Sequence, residues 1–132
     1  MKLYIITGVP GAGKSTLAKS MIADGLADEH FEADMWMVKD NEYCFMPSKL
    51  GYCHKLCQGH VEVALQDGYN VIVSNTTLTI REAKPYIEIA QKLGAEIEII
   101  HLTTKFGSIH NVPEEKMEQM EKKRQLFKLE DF

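Results

Sequence analysis

Gly8-Val9-Pro10-Gly11-Ala12-Gly13-Lys14-Ser15-Thr16 carries the residue types and offsets that grip a chain of phosphates. Four residues between Gly8 and Gly13 let the backbone curl into a nest of inward N–H groups. Bare or positive-φ backbone at Gly11 and Gly13 permits the close approach. Lys14 then reaches the β- and γ-phosphates, and the Ser15 hydroxyl is placed to ligate the Mg²⁺ that bridges them. The nucleotide-contacting set expected from this motif is Gly8, Pro10, Gly11, Ala12, Gly13, Lys14, Ser15 and Thr16. The glycine order is not G-x-G-x-x-G, which argues against a dinucleotide fingerprint.

A second group that can do chemistry is Asp34, which follows a short strand read at roughly Phe31 to Ala33. At the carboxyl end of a parallel strand it would face the same crevice as Lys14 and could accept the proton of an attacking hydroxyl. The alternative is a capping aspartate before Met35-Trp36-Met37. Asn75 ends the apolar run Val71-Ile72-Val73 where many P-loop proteins carry a metal-supporting aspartate. It supplies no charge, so it either accepts from a metal-bound water or serves as a turn residue. Cys53, His54, Cys57 and His60 suggest zinc at first sight, but their spacing matches none of the usual ligand patterns, and a packed helical stripe is the better reading.

These groups need elements to hold them. Leu3 to Thr7 reads as a strand feeding the loop, and Lys14 to about Met21 as the helix behind it, stopped by Gly25. Residues 38–48 read as loop, with Ser48 capping a helix to about Asp67 whose inward stripe is Leu50, His54, Cys57, Val61 and Ala64. Val71 to Val73 is a strand covered on both faces. Thr79 opens a helix with Ala83, Ile87, Ala90 and Leu93 inward, Pro85 near its first turns or at a kink, and Gly94 as its stop. Ile97 to Leu102 is a fourth strand. After a loop from Thr103 to Asn111, Pro113 opens a last helix with Met117, Met120 and Phe127 on its apolar face. The alternation predicts an α/β P-loop NTPase fold, a parallel sheet of about four strands with helices on both faces.

The 132 residues make one domain, 1–132. With 45% apolar and 26% charged residues the chain is of ordinary globular composition, and no run approaches a membrane span. Met1-Lys2 leads straight into the first strand, leaving no room for a removable signal peptide, and three unpaired-looking cysteines suit a reducing compartment; both point to the cytoplasm. The net charge of −4 gives no global attraction to nucleic acid, so a polyanion would need a local basic patch. Arg81 and Arg124 are the only arginines, and Lys122-Lys123-Arg124 reads either as a solvated helix end or as a track for an acidic substrate.

The ordered set Gly8 to Thr16, Phe31 to Trp36, His54-x-x-Cys57, Val71 to Thr77, Lys84-Pro85-Tyr86 and His110-Asn111-Val112-Pro113 resembles the small P-loop kinases related to the 5′-kinase domain of phage polynucleotide kinase. That group includes the kinase-like domain of a Nedd-type ligase-binding protein. The resemblance covers nearly the whole chain. It implies ATP and Mg²⁺ as cofactors, Lys14 and Ser15 as their contacts, and Asp34 as general base.

The group's members imply transfer of the γ-phosphoryl group to a hydroxyl of a nucleic acid or nucleotide, either a polynucleotide 5′-hydroxyl or a hydroxymethylpyrimidine in DNA. A phage source, with action in the host cytoplasm, would suit such a protein. Residues 35–60 would then build the acceptor pocket, where Trp36, Tyr43 and Phe45 either stack a base or pack in the core. Two positions depart from the group. Met37 stands where an acceptor-binding arginine is expected, and the loop before the last helix offers Lys105 and His110 where an arginine normally covers the transferring phosphate. Lys105 or Arg124 substitutes, a protein partner supplies the charge, or the domain is an ATP-binding regulatory module with little transfer activity.

Overall fold

The structure, a computed structural model, describes residues 1–9, 12–77, 79–102 and 125–132. Four strands form one parallel sheet: β1 (Lys2–Thr7), β2 (Glu29–Phe31), β5 (Val71–Val73) and β6 (Glu96–His101), in the order β2-β5-β1-β6. A separate hairpin pairs β3 (Val38–Lys39) with β4 (Glu42–Tyr43). The helices are α1 (Lys14–Ala23), α2 (Leu50–Gln66) and α3 (Ile80–Leu93). This is the parallel α/β arrangement of four strands expected from the alternation of elements, with α1 on one face and α2 and α3 on the other.

The order follows from which strands can be covered. Leu3 to Thr7 and Val71 to Val73 are buried on both faces, so β1 and β5 occupy the centre. Strand β6 alternates exposed Glu96 and Glu98 with half-buried Ile97 and Ile99, the pattern of an edge whose outer face meets water. Register pairs Leu3 with Val71 on one side and with Ile97 on the other.

Strand parity then sorts the core into two halves. Leu3, Ile5, Val71 and Val73 point toward α2 and α3 and pack with Cys53, Cys57, Val61, Leu65, Tyr86 and Ile87. Tyr4, Ile6 and Ile72 point the other way, onto Ala18 and Met21 of α1. Truncating one of these fully buried aliphatic side chains to alanine costs roughly 2–5 kcal/mol.

Local chemistry sets the helix ends. Gly13 caps α1 at φ 93, a left-handed conformation that a side chain would strain. The Thr79 hydroxyl accepts from the Glu82 N–H to start α3, and Gly94 at φ 72 closes it. Pro85 lies inside α3, in its second turn.

Three expectations change. The strand before Asp34 ends at Phe31, two residues early, and Ala33–Trp36 is a 3₁₀ turn. The segment read as loop contains the β3–β4 hairpin, turned by Asp40 and Asn41 at φ 54 and 66, short polar residues that tolerate this conformation. The inward stripe of α2 is Cys53, Cys57, Val61, Ala64 and Leu65. Leu50 is exposed and His54 half-buried, and Lys49, not Ser48, precedes the first turn. The expected last helix lies outside the described residues as far as residue 124. Phe127 is buried without being helical: its ring meets the His101 ring edge-on, and its carbonyl accepts from His101 Nε2 at 2.8 Å.

Candidate active site

All four strands run parallel, so their carboxyl ends share one edge, and every expected site residue in the described chain follows one of them. After β1 comes the phosphate-loop motif. Gly8 is closely packed: a Cβ on it would lie 3.0 Å from the Ala12 Cβ and 3.2 Å from the Leu102 carbonyl oxygen, so a larger residue would have to displace its neighbours. Gly13 turns the chain into α1, which brings Lys14, Ser15 and Thr16 into the first helical turn. The Lys14 ammonium folds back over the loop, donating to the Gly8 and Val9 carbonyls at 2.8 and 3.1 Å. Pro10, Gly11 and Lys105 lie outside the described residues.

Beyond β2 the chain places Glu32, Ala33 and Asp34. Parity continues past the strand: His30 and Glu32 lie on the α1 side, and Ala33 joins the core under α2. The Ser15 hydroxyl donates to Glu32 Oε2 at 3.2 Å, and the Ser74 hydroxyl donates to the same oxygen at 3.1 Å. His30 Nε2 sits 2.5 Å from Ser74 Oγ and 3.9 Å from Glu32 Oε2. Burial holds the His30 imidazole below its ordinary pKa, against the pull of the Glu32 carboxylate. Glu32 thus touches the phosphate-loop motif, a contact not expected from the sequence. The alternation His30-x-Glu32 was the available signal; a strand placed at Phe31 to Ala33 put Glu32 in its middle and not past its carboxyl end.

Asp34 is half-buried in the 3₁₀ turn, and its carbonyl accepts the Met37 N–H at 3.1 Å. What fastens the turn is Asn75. Its Oδ1 accepts the Ala33 N–H at 2.6 Å, and its Nδ2 donates to the Tyr86 hydroxyl at 2.9 Å and toward Cys57 Sγ at 3.7 Å. Burial raises both the Cys57 thiol and the Tyr86 phenol, so both stay protonated partners of the amide. Of the two readings of Asn75, these contacts are those of the turn residue. Ser74 points to the α1 side with Ser15, whereas Asn75, one residue on, points to the opposite side of the sheet.

Met37 is fully buried in the α2 core. The position that the resemblance assigns to an acceptor-binding arginine is thus occupied by a core side chain. Trp36 is half-buried and stacks on the His60 ring, centroids 4.9 Å apart, while Tyr43 and Phe45 are exposed. The Tyr43 phenol is pushed up by partial burial and by the Asp34 and Glu32 carboxylates, which sets the hairpin beside the acidic turn. Between α2 and α3 lies a cavity of about 360 Å³, lined among others by His54, Gln58, Asn75, Arg81, Glu82 and Tyr86. Asn75 is common to this cavity and to the turn that carries Asp34. Among the described residues no helix is long and apolar enough to cross a membrane.

Comparison with known proteins places the chain among relatives. A family model described as an AAA domain, AAA_33, matches residues 3–126. Human NEDD4-binding protein 2 is 31% identical over 91 residues, which cover 68% of this chain and 5% of that protein. The bifunctional polynucleotide phosphatase/kinase of Schizosaccharomyces pombe is 31% identical over 101 residues, 76% of this chain and 21% of that protein. The chain thus spans only a small part of either relative.

Among solved structures, a chain of the Pnkp1/Rnl/Hen1 complex superposes with a TM-score of 0.66 at 22% identity, over 89% of this chain and 38% of that one. The Mycobacterium tuberculosis APS kinase CysC, in complex with AMPPNP and APS, gives 0.58 at 17% identity, over 89% of this chain and 66% of that one. These two likenesses concern the fold. The phosphate-loop motif, the parallel sheet and the family match over residues 3–126 together identify the chain as a member of the AAA_33 family, a kinase-like P-loop domain related to polynucleotide kinases.

Proposed function

We propose that the domain is an ATP-dependent kinase that transfers the γ-phosphoryl group to a hydroxyl of a nucleic acid or nucleotide. The observation that carries this reading is the contact of Ser15 with Glu32, which joins the phosphate loop to the turn bearing Asp34 along one sheet edge. Lys14, which spans the Gly8 and Val9 carbonyls, would exchange those partners for phosphate oxygens. Asp34 would accept the acceptor's hydroxyl proton. The oxygen donors at Ser15 suit a hard cation, and Mg²⁺ bound there would neutralise charge on the phosphates. Lys105 remains the proposed cover for the transferring phosphate. The cavity between α2 and α3 would take the acceptor, with Arg81 facing its negative charge.

The direct test is transfer of labelled γ-phosphate from ATP with Mg²⁺ to 5′-hydroxyl DNA and RNA oligonucleotides, hydroxymethyluracil-containing DNA, nucleosides and mononucleotides. Label in one acceptor, lost in Lys14→Ala, is the expected result. Asp34→Asn should bind ATP nearly as before and lose roughly 10²–10⁴-fold in transfer. Equal activity would remove Asp34 from the mechanism.

A second reading is an ATP-binding regulatory module. The buried Met37 favours it, since that position offers no cation to an acceptor. Tight ATP binding without transfer, joined to an ATP-dependent change in affinity for a protein partner, would select it.

A further inference from the structure

We infer that Glu32 supplies the carboxylate that supports the nucleotide's Mg²⁺, in place of the residue at the end of β5. The inference rests on the nucleotide-binding reading of the phosphate loop. A P-loop metal commonly takes one protein hydroxyl and leans on a strand-end acid. In this chain the strand-end candidate, Asn75, is neutral, and its amide is engaged on the far side of the sheet with Ala33, Tyr86 and Cys57. A carboxylate does face Ser15, but it comes from the neighbouring strand: Glu32 Oε2 lies 3.2 Å from the Ser15 hydroxyl.

The placement of Glu32 is built. Strand β2 pairs with β5 so that His30 lies opposite Ile72 on the α1 side, and one further step of the alternation brings Glu32 and Ser74 together on that same side. Ser74 donates to Glu32 Oε2 at 3.1 Å and is itself held by His30 at 2.5 Å. The side chain of His30 is only 10% exposed, so the arrangement is backed by packing. One carboxylate oxygen thus receives two hydroxyl hydrogen bonds, which orient it as outer-shell hydrogen bonds orient a carboxylate beside a metal.

Among the described residues no three His, Cys, Asp or Glu gather into a cage for a metal. That suits Mg²⁺, which binds through one or two carboxylates plus substrate phosphates and water. It also fixes a sign. Without a cation, a carboxylate beside the phosphate loop repels the nucleotide, and with a cation it strengthens binding. Removing its charge should therefore shift ATP affinity in opposite directions with and without metal, a crossover that loss of a merely structural contact cannot give.

The experiment compares the full chain with Glu32→Gln, which keeps the acceptor oxygen for Ser15 and Ser74 but not the charge. ATP binding is measured by calorimetry with excess Mg²⁺ and with EDTA, and Mn²⁺ binding to the ATP complex by loss of the free-ion EPR signal. Glu32→Gln is expected to bind Mn²⁺ at least about tenfold more weakly, and to bind ATP more weakly than the parent with Mg²⁺ but more tightly in EDTA. Glu32→Asp, with the charge retained, is expected to recover most of the Mn²⁺ affinity. Unchanged Mn²⁺ affinity in Glu32→Gln, or an equal loss of ATP binding with and without metal, overturns the assignment. So does a loss of Mn²⁺ affinity in Asp34→Asn with none in Glu32→Gln. A parent chain that binds no ATP in either condition removes the nucleotide-site reading itself, and this inference with it.

Discussion

Asn75 Oδ1 accepts the Ala33 N–H at 2.6 Å, so a side chain leaving the central strand β5 ties down the backbone one residue before Asp34. The same amide donates to the Tyr86 hydroxyl of α3. One buried residue therefore locks the turn of the proposed base to a helix on the covered face of the sheet.

Asn75→Ala should consequently be costly in two ways. It strands a buried Ala33 N–H and removes the donor to Tyr86, for a loss of roughly 2–4 kcal/mol in urea unfolding. Transfer should fall as well, because Asp34 loses its anchor, while Mn²⁺ affinity of the ATP complex stays unchanged. A variant that keeps full stability would remove Asn75 from this role.

The phosphate loop was legible because its offsets are fixed by the ligand, and α3 because Thr79 and Gly94 mark its ends with distinct chemistry. Glu32 was not. A two-residue shift leaves the alternation unchanged, but placing the end of β2 at Ala33 instead of Phe31 counted Glu32 as a mid-strand side chain and left Asp34 as the one residue at the carboxyl end. The stripe of α2 was misread for a related reason: the Leu50-His54 row and the Cys53-Cys57 row adjoin on the helix, and only the packing of Ala33 and Met37 against it decides which is inside. Asp40-Asn41 carried a hairpin signal, but flanking strands of two residues each are too short for periodicity to reveal.

His30 predicts a pH dependence. Burial, its largest influence, lowers the imidazole pKa from the ordinary 6.5. The unfolded chain then binds the proton more readily than the folded one, so the stability tied to neutral His30 is fully present above about pH 6.5 and declines as pH falls from there through the folded-state value. Urea midpoints measured across that window should drop in the parent and drop less steeply in His30→Gln. Parallel profiles would assign the acid sensitivity elsewhere.

Gly8 is constrained by space. The Cβ of Gly8→Ala would press on the Ala12 Cβ at 3.0 Å and on a backbone carbonyl, that of Leu102, at 3.2 Å, and the latter cannot swing aside. Overpacking of this kind costs about 1–3 kcal/mol. ATP affinity should fall with stability, because the displaced backbone is the phosphate cradle itself. Calorimetry and thermal unfolding of the one variant test both effects.

Arg81 separates the two ligands of the proposed kinase. It lines the α2–α3 cavity, on the side of the sheet to which Asn75 points and away from the Ser15 and Glu32 cluster. If that cavity receives a phosphate-bearing acceptor, Arg81→Ala removes a charge-assisted contact worth about 1.5–3 kcal/mol. The acceptor's KM should then rise by roughly tenfold or more, with the KM for ATP and the unfolding midpoint unchanged. Arg81→Lys should restore part of the loss, since it keeps the charge but not the planar fork. A rise in the KM for ATP instead would move the acceptor out of this cavity and place the influence of Arg81 on the nucleotide.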